Sequence, residues 1–86
     1  MIEVNYKPSF IKKFDALEKD LQNEILEKIE LFKDNKNHEQ LKVHRLHGQL
    51  KDKYSFSVNY KFRIVFSYIS KKEIVLLTVG DHEIYK

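Results

Sequence analysis

The 86-residue chain contains no cysteine, which excludes disulfides and thiolate–zinc staples and fits a reducing compartment. Its only glycines are Gly48 and Gly80, so a glycine-rich phosphate loop is excluded. No stretch approaches the ~20 apolar residues that a membrane helix needs. The opening Met1-Ile2-Glu3-Val4-Asn5 lacks the basic start and apolar run of a secretory signal. Repeats, linkers and low-complexity segments are also missing. The serines of the central segment have no paired base to activate one as a nucleophile. These absences lead to the expectation of one small cytoplasmic domain over residues 1–86, away from any membrane.

What is present is an unevenly spread charge. Residues 1–35 hold six Lys and eight acids, whereas residues 36–63 hold five Lys, two Arg and two acids. Residues 64–86 balance at three of each sign. The basic middle also carries His38, His44 and His47, with Tyr54, Phe56, Tyr60 and Phe62 interleaved. A local positive field with imidazoles and aromatics suits a nucleic-acid backbone better than a small neutral metabolite. The apolar fraction of 42% supports one compact core.

Hydrophobic periodicity divides the chain. Ile2, Val4 and Tyr6 alternate with Glu3 and Asn5, predicting a strand over residues 2–6 that Pro8 stops. Ser9 is a candidate N-cap for a helix carrying Phe10, Phe14 and Leu17. After a break near Lys19-Asp20, Leu21, Ile25, Ile29 and Phe32 form the stripe of a second helix, and the two make an antiparallel hairpin. Residues 37–48 read as a loop or short extended segment. Beyond Gly48 the period becomes two, predicting strands over 54–59, 62–69 and 73–79. The last, Ile74 to Val79, is nearly all apolar and reads as a central strand covered on both faces. Ile64 and Leu76 are expected in the core. The fold class is α+β: an N-terminal strand and a helical hairpin packed on a small antiparallel sheet whose other face is partly open.

Four segments now resemble the RelE/ParE superfamily of toxins from bacterial and archaeal toxin–antitoxin systems. They are Tyr6-Lys7-Pro8-Ser9-Phe10-Ile11-Lys12-Lys13-Phe14, His44-Arg45-Leu46-His47-Gly48, Tyr60-Lys61-Phe62-Arg63-Ile64-Val65-Phe66 and Val79-Gly80-Asp81-His82-Glu83-Ile84-Tyr85. Together, in this order, they span almost the whole chain. The resemblance implies the same order of elements. It also implies a toxin that works as a ribosome-dependent, metal-free mRNA endonuclease held inactive by a cognate antitoxin. The alternatives it leaves open are a ParE-like inhibitor of DNA gyrase and a non-catalytic co-repressor. The expected state is a monomer alone or a hetero-oligomer with antitoxin, with ribosome and mRNA as further partners and no cofactor or metal.

The resemblance also implies roles. Arg63 matches the strand arginine that RelE-like toxins use on phosphate. His44 lies where some relatives place a catalytic His, His82 where relatives have His or Arg, and Tyr85 matches the C-terminal aromatic that orients the cut nucleotide. Ser57 and Lys61 stand where His-rich relatives carry another His and an Asp. Lys42, Arg45, His47, Lys51, Lys53 and Lys61 are the candidate RNA-phosphate contacts.

The chemistry fits these residue types. Metal-free cleavage uses the substrate's own 2′-OH, so the enzyme must move two protons and neutralise a crowded phosphorane. Histidine can move protons near neutral pH. Arginine stays charged and can hold two phosphate oxygens. Without the resemblance, Arg63 reads as an ordinary strand arginine paired with Glu73 or Asp81, and His44 and His47 read as solvated loop residues.

Overall fold

The computed structural model describes residues 1–48 and 52–81. Among them the chain forms β1 (Glu3–Tyr6), α1 (Pro8–Asp15), α2 (Lys19–Phe32), β2 (His44–Arg45), β3 (Tyr54–Ser57), β4 (Arg63–Ser70) and β5 (Glu73–Gly80). A short 3-10 turn, Asn35–Asn37, follows α2. The strands make one sheet in the order β1-β5-β4-β3-β2. β3, β4 and β5 form the expected antiparallel meander. β1 joins it parallel to β5, so the sheet is mixed rather than antiparallel throughout. The chain leaves β1 through two helices rather than a tight turn, and such a crossover permits parallel pairing.

Helix α1 begins where Pro8 takes the first helical position, with φ preset and no orphan N–H. The N-cap is therefore Lys7, not Ser9. The Ser9 hydroxyl instead donates to the Leu77 carbonyl at 2.7 Å and pins α1 to β5. The break between the helices falls at residues 16–18, one step before the expected Lys19-Asp20, and Glu18 is the N-cap of α2. Gln22 Nε2 donates to the Phe14 carbonyl at 2.9 Å, tying the second helix to the end of the first.

The α2 stripe enters the core as its spacing predicts: Ile25, Ile29 and Phe32 are buried, and Leu21 is half-buried. Phe32 sits at the centre, its ring 4.7 Å from Phe56, 5.0 Å from Phe66 and 4.3 Å from the His38 imidazole. Ile64, Ile74 and Leu76 complete the layer under the helices.

The other sheet face carries the alternate side chains. Ser55 and Val65 at its centre are buried; Ser57, Arg63, Ser67, Val75, Leu77 and Thr78 are half-buried. β5 is thus interior to the sheet but fully covered on one face only. Its register to β4 slips after Val65, so Thr78 faces Val65 while Leu76 faces Phe66. Leu77 is the extra residue of this bulge, which explains why the apolar run does not alternate cleanly.

Leu76 is inaccessible to solvent, and its carbonyl also accepts from the Lys7 N–H at 3.0 Å. Leu76→Ala is expected to cost about 2–5 kcal/mol in a denaturant titration. A loss below about 1 kcal/mol is incompatible with that cavity cost.

Candidate nucleic-acid interface

The sheet register decides which candidate residues share a face. His44 pairs with Ser55, and Ser57 pairs with Arg63, which in turn faces Gly80. Ser55 and Ser57 lie on the face away from the helices, so His44 and Arg63 lie there too. They are two strand spacings apart and one pleat along, about 12 Å between Cα atoms. Gly80 leaves the β5 position beside Arg63 without a side chain.

Strand β2 was outside the two-residue periodicity because it is only two residues long. It is nonetheless what fixes His44. The His44 Nδ1 lies 2.8 Å from the Lys42 carbonyl oxygen. A carbonyl can only accept, so Nδ1 carries the proton in the neutral ring and Nε2 keeps its lone pair. That tautomer leaves Nε2 free to take a proton. Lys42 reaches this geometry at φ 57°, a left-handed conformation that costs a side-chain-bearing residue about 1–2 kcal/mol.

Arg63 is half-buried and is held by its own turn. Its Nη1 donates to the Asn59 carbonyl at 2.6 Å and to the Phe62 carbonyl at 3.2 Å. Among the described residues only Nη1 of the guanidinium makes hydrogen bonds, which leaves Nε and Nη2 for an anion. Neutral carbonyl partners position the cation without cancelling its charge.

Asn59 builds that turn, and the sequence pattern did not single it out. Its Oδ1 accepts from the Lys61 and Phe62 N–H groups, both at 2.8 Å. Its Nδ2 donates to Glu24 Oε1 on α2, also at 2.8 Å. The signal was available: an Asn between two strands favours an Asx turn. This turn ends β3 at Ser57, not residue 59, and lifts Tyr60 out of the expected alternation to 90% exposure.

The other candidates are dispersed. Lys42 and Arg63 line one cleft of about 230 Å³, together with Lys28, Ser57, Asn59 and Tyr60 among others. Arg45 pairs with Tyr54, so its register position is on the helix side, away from Arg63, and its Nη2 lies 4.0 Å from Asp52 Oδ1. His47 and Lys61 are exposed, and Lys53 is half-buried at the foot of β3. Lys61 Nζ stands 5.7 Å from the Phe62 ring centre. Lys51, His82 and Tyr85 lie outside the described residues. His38 has a structural role: its Nε2 donates to the Phe32 carbonyl at 2.8 Å and caps the end of α2. Among the described residues no group of three or more His, Asp or Glu is placed to hold a metal ion.

Asn59→Ala removes two turn bonds and the tie to α2. A loss of about 1–3 kcal/mol is expected in a denaturant titration, with a changed guanidinium N–H resonance for Arg63 in NMR spectra. Unchanged stability together with an unchanged Arg63 resonance contradicts the positioning role.

The whole chain is similar to several solved structures. A conserved hypothetical protein of Helicobacter pylori superposes with a TM-score of 0.73 at 26% identity, covering 96% of this chain and 97% of that one. A variant of the Escherichia coli protein YafQ gives a TM-score of 0.75 at 16% identity, over 98% and 97% of the two chains. The archaeal RelE–RelB complex of Pyrococcus horikoshii gives 0.71 at 20% identity, over 93% of each. No protein-family model and no curated protein matches the sequence. The chain therefore has the RelE-like toxin fold.

Proposed function

We propose that this RelE-like fold serves a type II toxin that cuts mRNA on the ribosome and is neutralised by a cognate antitoxin. The observation that carries the reading is the Arg63 guanidinium. It is held by two neutral carbonyls, with Nε and Nη2 left over, and its register position shares a sheet face with that of His44. Arg63 stabilises the charge on the phosphorane, a preorganised contribution of about 3–4 kcal/mol. His44, through Nε2, takes or returns a proton. His82 acts as the second proton-transfer or phosphate group, and Tyr85 orients the nucleotide at the cut. Lys42 and Lys61 supply sequence-independent attraction to RNA phosphates, as do Arg45, His47, Lys51 and Lys53 toward the surrounding ribosomal RNA, making docking salt-dependent.

The same fold occurs in complexes of toxin with antitoxin, including YoeB–YefM from Staphylococcus aureus and RelE–RelB from Pyrococcus horikoshii. This chain offers an apolar cleft of about 300 Å³ lined by Tyr6, Phe10, Ile11, Phe14, Asp15 and Leu26. Tyr6, Ile11 and Leu26 are each more than two-fifths exposed, which suits an amphipathic antitoxin segment.

Induced expression without antitoxin is expected to arrest growth and amino-acid incorporation, and Arg63→Ala is expected to relieve the arrest while the protein remains folded. Normal growth with folded wild-type protein in the cells overturns the toxin reading. Arrest of replication with intact message transfers the reading to gyrase inhibition.

A further inference from the structure

The cleft at the Arg63 end of the sheet extends beyond the residues needed to cut one phosphodiester. It runs from Lys28 on α2, past Lys42 before β2, to Tyr60 at the tip of the β3–β4 turn. Its charged lining residues are Lys28, Lys42 and Arg63, all cationic. Glu24 and Glu27 on α2 already have partners. Glu24 Oε1 accepts from Asn59, and Glu27 Oε1 lies 3.7 Å from Lys28 Nζ. At about 230 Å³ the cleft is smaller than the ~300–1,000 Å³ of sites that enclose a small-molecule ligand. Its size suits a sugar-phosphate passing through.

At two rim positions the backbone does not call for the side chain that is present. Tyr60 is 90% exposed although the Asx turn that carries it needs no aromatic there. Lys42 holds a left-handed φ of 57° that glycine adopts without penalty, so a lysine at this position keeps its charge against the backbone preference. A cationic groove beside an exposed ring is the arrangement that binds single-stranded nucleic acid, with phosphates on the cations and a base on the ring.

We propose that this cleft is a subsite for the nucleotide flanking the cut, with Lys28 and Lys42 on the neighbouring phosphate and the base stacked on Tyr60. The inference rests on the RNA-cleaving reading and adds a second point of contact along the strand. Stacking reads no base edge, so the subsite tolerates any base and favours purines through their larger rings. It holds the strand so that the adjacent phosphate falls on Arg63.

The test uses the whole chain in two assays. The first is single-turnover cleavage of ribosome-bound message. The second is NMR titration with a 2′-O-methyl hexanucleotide, which cannot be cut because its 2′-oxygen is blocked. Tyr60→Ala is expected to slow cleavage and weaken hexanucleotide binding about tenfold, while Tyr60→Phe stays within about twofold of wild type. The hexanucleotide is expected to shift the amides of Lys42, Asn59 and Tyr60. Lys28→Gln and Lys42→Gly are each expected to lower the salt slope of binding by about 0.7. Lys42→Gly should keep or raise thermal stability, which separates charge from folding. Wild-type cleavage by Tyr60→Ala overturns the subsite and leaves the nuclease reading standing. Equal amide shifts with polyglutamate at matched charge overturn it too, by showing a generic anion cleft. Failure of wild-type protein to cleave message overturns the subsite and the nuclease reading together.

Discussion

The burial of Phe32 is the constraint on which the other parts depend. It is the last residue of α2, inaccessible to solvent, and its ring meets Phe56 on β3 and Phe66 on β4. One side chain thus fixes the end of the long helix over the middle of the sheet. The backbone beside it is closed by side chains of the next segment: His38 donates to the Phe32 carbonyl and Asn37 to the Leu31 carbonyl. The chain therefore leaves α2 in a defined direction, and Leu41, buried a few residues later, locks the return. The Leu41 carbonyl accepts from the Ser57 N–H at 2.8 Å, which sets the approach to β2 against the end of β3.

The site inherits its geometry from that path. Lys42 turns through a left-handed conformation directly after Leu41, presents its carbonyl to His44, and so selects the tautomer of that ring. On the other side Asn59 closes the β3–β4 turn, binds Glu24 on α2, and offers its own carbonyl to Arg63. Both polar groups are thus positioned by backbone carbonyls that the aromatic core holds in place. Positioning by neutral dipoles suits the proposed anion site, because a carboxylate partner would compete with a phosphate for the arginine.

The elements with long periodic patterns were legible in the sequence. The α2 stripe and the strands carrying Ile64, Phe66, Ile74 and Leu76 are where alternation and helical spacing placed them, because burying one face forces that pattern. Short-range choices were not. Ser9 is a good capping residue in isolation, but the fixed φ of Pro8 sets the helix start one residue earlier, and tertiary contact takes the hydroxyl to Leu77. Strand β2 is too short to show a period, and its register is what brings His44 to the face of Arg63. Tyr60 fits the apolar alternation by type, yet the Asx turn of Asn59 ends the strand before it. The lysines and Arg45 resembled one basic patch in sequence, while pairing with Tyr54 sends Arg45 to the opposite side.

The activity proposed for this sheet face is cleavage of RNA through the substrate's own 2′-OH. It is tested most directly by mapping the chemistry of the ends produced when purified protein meets ribosomes stalled on message. Attack by the 2′-oxygen leaves a 2′,3′-cyclic phosphate and a 5′-hydroxyl at a position inside the ribosome-occupied codon. Those ends are the predicted result. Uncut message, or fragments bearing 5′-phosphates, contradicts the claim.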